Sequence, residues 1–112
     1  MEIYVICGIA ILFDVITGVI KGAYQGKLNS TIARKGLYYK ITEILALVLA
    51  GLLEYATAYI NIGIDLPLVE VVGIYIFCME LLSILENLCA VNPNLRKLFK
   101  PYLEKLKGVD SD

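Results

Sequence analysis

Six carboxylates stand in, or at the edges of, strongly apolar stretches of this sequence: Asp14, Glu43, Glu54, Glu70, Glu80 and Glu86. At the centre of a membrane helix an ionised side chain costs about 2.5–3.5 kcal/mol on insertion scales, so each acid must be paired, protonated or turned toward water. Carboxylates so placed suit three kinds of chemistry. They can line a wet pathway, act as a proton site in an ion-coupled transporter, or join an Asn in holding the Mg-nucleotide phosphates of a kinase. Histidine is absent from the chain, which excludes Ser-His and Cys-His nucleophile pairs, His-ligated metals and a histidine pH switch. Cys7, Cys78 and Cys89 form no C-x-x-C pair and sit in apolar surroundings, so they read as small buried hydrophobes. No catalytic residue, cofactor or metal site is expected.

The elements that carry these acids are apolar on nearly every side. The chain has 112 residues, 59% of them hydrophobic and 19% charged, with a net charge of -1, and its mean hydropathy is +0.75. That is one small domain, too apolar to stay dry as a soluble globule and too weakly charged overall to suggest a nucleic-acid partner. Three spans are predicted: Ile3–Ile20, Ile41–Ile60 and Leu66–Val91. The first is about 27 Å long as a helix, close to the thickness of a hydrocarbon core. Glu2 stands where a secretory signal would carry positive charge, and no basic residue precedes Lys21, so the first span is expected to remain in the mature protein.

Charge outside the spans sets an orientation. Lys21, Lys27, Arg34, Lys35 and Lys40 lie between the first two spans with no acid among them, whereas Asn61–Asp65 carries no positive charge. The positive-inside rule then puts the first loop and the C-terminus in the cytoplasm and the N-terminus outside. Asn29-Ser30-Thr31 supplies capping side chains, and Tyr38 and Tyr39 beside Lys40 suit an interfacial anchor before the second span. Asn92-Pro93 ends the third span and divides a transmembrane domain, residues 1–91, from a tail, residues 92–112. In the tail, Leu95, Leu98, Phe99, Tyr102, Leu103 and Leu106 recur at helical spacing among Arg96, Lys97, Lys100, Lys105 and Lys107. This is the pattern of a cationic amphipathic helix on the inner leaflet, bent or broken near Pro101 and frayed over 109–112. The fold class is therefore an all-α membrane protein of three transmembrane helices plus that tail helix.

At 100° per residue each span gathers its polar residues into one seam. The first holds Cys7, Ala10, Asp14, Thr17, Gly18 and Lys21; the second Glu43, Ala46, Ala50, Glu54, Thr57 and Asn61; the third Glu80, Ser83, Glu86, Asn87 and Ala90. Asp14, Glu54 and Glu80 lie furthest from the predicted span ends. Gly18 and Gly22 have the small-xxx-small spacing that allows close helix approach. Two arrangements satisfy the seams. They meet inside one bundle, with Lys21 or a backbone group compensating each acid, or several protomers assemble and some seams line a wet pathway.

Asp14-Val-Ile-Thr17-Gly18 followed by Lys21, Lys27-Leu-Asn29-Ser30, Lys35-Gly36 with Lys40, and Glu80-Leu-Leu-Ser83-Ile-Leu-Glu86-Asn87, in that order, resemble the phage lysis and toxin secretion holin family. The likeness covers nearly the whole chain. It implies a small three-segment protein that oligomerises in the bacterial inner membrane and forms a lesion there. Through that lesion a cell-wall hydrolase (an endolysin) or a toxin leaves the cell. The family carries no catalytic residues, so the matched positions transfer as packing or pore-lining sites. Outside that resemblance, a small three-helix membrane lipid kinase using Glu80, Glu86 and Asn87 and an ion-coupled transporter using Asp14 or Glu54 remain the alternative readings. The kinase lacks a glycine-rich phosphate loop.

Overall fold

The computed structural model describes residues 1–111, with side chains through Gly108. Four helices follow one another: α1 (Glu2–Gln25), α2 (Ser30–Thr57), α3 (Leu68–Val91) and α4 (Pro93–Ser111). The described residues contain no strand. The first three helices are long and apolar enough to cross a membrane.

Local chemistry explains the boundaries. Gly26 takes the left-handed conformation at φ 65°, and the N–H groups of Gly26 and Lys27 donate to the carbonyls of Ala23 and Gly22. This is the double bond of a Schellman ending, which favours glycine because a Cβ is strained at positive φ. Three residues later Asn29 caps α2, its Oδ1 accepting from the N–H of Thr31 at 2.8 Å and of Ile32 at 3.4 Å. At the same end of the bundle Asn92 is the only non-helical residue between α3 and α4. Its backbone is extended, and Pro93 opens α4 at the first helical position, where a missing N–H leaves no bond unmade.

Several boundaries differ from the sequence expectation. The second helix starts at Ser30 rather than Ile41 and stops at Thr57 rather than Ile60. The Asn29 cap satisfies the first backbone donors, so helix forms well before the uninterrupted apolar run begins. α4 passes through Pro101 without a break and stays helical over 109–111; the expected fraying of Asp112 lies outside the described residues.

α3 is the hub: α1 packs along it most extensively, α2 and α4 also lie against it, and α1 and α2 meet only marginally. Among the described residues α4 packs against α3. The outward faces are apolar, with Ile9, Leu12, Val48 and Leu49 all more than half exposed, while Asp14 and Glu80 are 5% and 3% exposed. This inversion of the soluble pattern is what a lipid solvent selects, since every buried polar group must find its partner within the protein.

The helices share a simple register. α1 and α3 run parallel with α2 antiparallel between them in sequence, and Asp14, Lys40 and Glu80 meet at one level. Seven residues further toward the other end come Cys7, Leu47 and Gly73, which also converge: the Cys7 Sγ lies 3.3 Å from the Gly73 carbonyl oxygen, and a Cβ on Gly73 would reach Leu47. At the first level Asp14 and Glu80 sit mid-way along α1 and α3, about 17 Å from either helix end.

Candidate functional site: a buried polar cluster midway along the helices

The cluster is built around one ammonium and two carboxylates. Lys40 Nζ lies 2.5 Å from Asp14 Oδ2 and 3.1 Å from Glu80 Oε2, with Glu80 Oε1 at 3.4 Å. The second oxygen of Asp14 accepts from Ser83 Oγ at 2.8 Å and from Asn87 Nδ2 at 3.0 Å. Asn87 Nδ2 also donates to Thr17 Oγ1 at 3.1 Å, and the Thr17 hydroxyl donates to the Asp14 carbonyl at 3.1 Å. Among the described residues no buried side-chain nitrogen or oxygen lacks a hydrogen-bond partner. A fully satisfied network of this kind is tolerated at low dielectric, where a partly satisfied one is costly.

Helix geometry explains the convergence. Asp14 and Thr17 are three apart on α1, and Glu80, Ser83 and Asn87 step by three and four along α3, so each set lies on one face. Asn87 starts a turn or more beyond Asp14, and a helical side chain leans toward its own N-terminus, which carries the amide back to the carboxylate. Lys40 enters from α2, and among the described residues it makes the salt bridges that join α2 to α1 and α3.

Of the sequence-predicted site residues, the structure brings together Asp14, Thr17, Glu80, Ser83 and Asn87. Gly18 is half-buried beside them, and a Cβ there would lie 3.7 Å from Asn87 Nδ2, an ordinary contact. A Cβ on Gly22 would crowd the Leu28 side chain at 2.9 Å, and the tightest approaches between helices fall at two other glycines. A Cβ on Gly73 would collide with Ile3, and one on Gly51 with the Tyr4 hydroxyl. Lys21 is half-buried but makes no ion pair with these acids; Lys40, expected at the membrane surface, takes that role. Its inclusion follows from the early start of α2, which carries it about 15 Å into the helix. Glu86 is exposed on α3, away from the cluster, and Glu54 is half-buried near the end of α2. By the register, Glu54 lies level with the start of α1, at the end of the bundle rather than its centre. Arg96, Lys97, Lys100, Lys105 and Lys107 are all exposed on α4, while Leu95, Phe99, Leu103 and Leu106 are half-buried.

The described residues hold no group of His, Cys, Asp and Glu arranged to bind a metal ion. Three membrane-length helices with an apolar exterior and a sequestered ionic interior define a small polytopic membrane protein. Residues 2–108 match the profile of the Bacteriophage holin family, and the chain belongs to that family. It is a family of non-enzymatic membrane proteins associated with phage and lysis. Comparison with curated proteins and with solved structures gave no match.

Proposed function

We propose that the chain is a lesion former of the bacterial inner membrane, assembling as a homo-oligomer to release an endolysin or an exported toxin. The observation that carries this reading is the polar cluster itself. Asp14, Thr17, Glu80, Ser83 and Asn87 are grouped on two adjacent helices, hidden in the single bundle, and closed off on the third side by Lys40. A lining of this composition is ready to face water once the helices part, and lipid-facing residues need not change. In this reading residues 1–91 form the membrane domain, with the N-terminus outside. Residues 92–112 form a cytoplasmic tail whose five basic residues meet anionic lipid. Lys21, Glu54, Glu86 and Gly18 then serve packing or contact between protomers rather than the cluster. Of the side chains the kinase alternative would use, Glu80 and Asn87 are buried in the cluster and Glu86 is exposed, which supports the lesion reading over it.

Inducible expression in a bacterium, with and without a cytoplasmic muralytic enzyme, tests the proposal. Abrupt lysis that requires the enzyme supports it. Continued growth, with the protein present in the membrane fraction and the enzyme active in extracts, refutes it.

A further inference from the structure

The bundle interior differs along its length. From the Lys40 level toward the α1–α2 turn lie all four buried polar side chains, Asp14, Glu80, Thr17 and Asn87, with Leu82, Ile84, Leu85 and Cys89 of α3 also buried at these levels. One to two helical turns the other way, the buried residues Cys7, Ile11, Leu47 and Ile76 form a single apolar cluster, backed by Ile3, Tyr4, Val69 and Val72. All three membrane helices contribute to it, and Leu47 and Ala50 are the two α2 side chains fully buried. Gly73 lets α1 and α3 approach at this height, so the cluster is dense where the polar half is hydrogen-bonded.

Resting on the lesion reading above, we propose that Cys7, Ile11, Leu47 and Ile76 form the barrier of the closed protein, and that their separation sets the moment at which the membrane leaks. An apolar constriction excludes water even where a polar vestibule leads up to it, because a narrow apolar space does not stay wetted. Lys40 ties the polar half by charge, but charge alone does not stop water or ions; the packed layer above it does. In lipid the packing of such a layer, rather than transfer from water, supplies its cohesion. Truncating one of its side chains therefore lowers the cost of opening without touching any polar group.

The native sequence carries its own reporter, since Cys7 is 1% exposed within the barrier and a thiol must meet water to react as thiolate. The full chain is reconstituted in vesicles of phosphatidylethanolamine and phosphatidylglycerol loaded with a fluorescent dye. A membrane-impermeant methanethiosulfonate is present outside, and modified cysteines are located by mass spectrometry. Cys7 is expected to stay unmodified until dye release begins and then to react on the same time course. Leu47→Ala is expected to bring both events forward by about tenfold, following the packing lost at a truncated buried leucine. Leu45→Ala, at an exposed position on the same helix, moves neither. Complete dye release with Cys7 still unmodified overturns the barrier assignment while leaving the lesion reading intact, and so does native timing in a Leu47→Ala protein that inserts normally. The Cys7 readout needs no substitution, so it decides the matter even where Leu47→Ala does not accumulate. Absence of any dye release from the native protein overturns both.

Discussion

Lys40→Met removes the one cation of the buried cluster and keeps most of the side-chain volume. At an effective dielectric of about 20, an ammonium 2.5 Å from one carboxylate and 3.1 Å from another is attracted by about 7 and 5 kcal/mol respectively. Desolvating each of the ions costs several kcal/mol, so the net contribution is far smaller than that sum. Breaking a buried pair by removing one partner costs about 3–5 kcal/mol, because the abandoned charge stays buried. Stranding the Asp14 carboxylate, with Glu80 and Glu43 close by, places Lys40→Met within that range. The triple variant Lys40→Met/Asp14→Asn/Glu80→Gln removes the three charged groups of the cluster, leaves the half-buried Glu43 beside Glu80 as the acid remaining there, and keeps acceptors for Ser83 and Asn87. It is expected within about 1 kcal/mol of native or above it. The assay is a titration of the purified protein in dodecylmaltoside micelles with SDS, following the reactivity of the buried Cys7 and Cys89. A strongly lowered midpoint for Lys40→Met, recovered in the triple variant, is the expected result. Equal midpoints for Lys40→Met and native protein, or a triple variant as weak as the single one, would refute the claim that this ammonium holds α2 against α1 and α3.

Gly73→Leu should destabilise the bundle by about 1–3 kcal/mol through overpacking against Ile3, whereas Gly18→Ala, with ordinary contact distances, should stay within about 0.5 kcal/mol in the same titration. If Gly18→Leu abolishes cross-linked oligomers while monomer insertion persists, Gly18 lies at a contact between chains; an unchanged oligomer ladder removes it from that contact. For orientation, cysteines introduced at Lys27 and Gly63 should be labelled from the cytoplasmic and the outer side respectively, and the opposite pattern would reverse the topology. Replacing Arg96, Lys97, Lys100, Lys105 and Lys107 by Gln should weaken membrane association of the tail by about 1 kcal/mol per residue near an anionic surface, read as loss of salt-sensitive binding to anionic vesicles.

The three spans were legible because apolar content needs no knowledge of neighbours, and the Asn92-Pro93 joint because proline restricts the residue before it as well as itself. The inward faces of α1 and α3 were legible too, since helical periodicity groups Asp14 with Thr17 and Glu80 with Ser83 and Asn87. Lys40 was not. A hydropathy profile counts a lysine against a span wherever its ammonium goes, and the partners that neutralise it lie 26 and 40 residues away in sequence. The same limit hid two of the glycines: Gly18 and Gly22 have a recognisable spacing, but what crowds Gly51 and Gly73 is the side chain facing each, Tyr4 and Ile3, on another helix. Glu54 seemed central only because the apolar run was taken as the helix; the real α2 extends further at its start and ends sooner.

Sharing one ammonium between two carboxylates also imposes an order on biogenesis. α1 leaves the ribosome first and carries Asp14 toward the bilayer with no partner yet made. The four-residue link 26–29 then delivers Lys40 on α2 as an adjacent antiparallel helix, so the first two helices can enter lipid as a hairpin with its opposite charges matched. Glu80 arrives last, on α3, into a site whose cation is already engaged, and brings Ser83 and Asn87 to complete the coordination of Asp14. A ribosome stalled before α3 emerges would thus display an insertable hairpin, whereas α3 made alone would present an acid to the translocon with nothing to offset it.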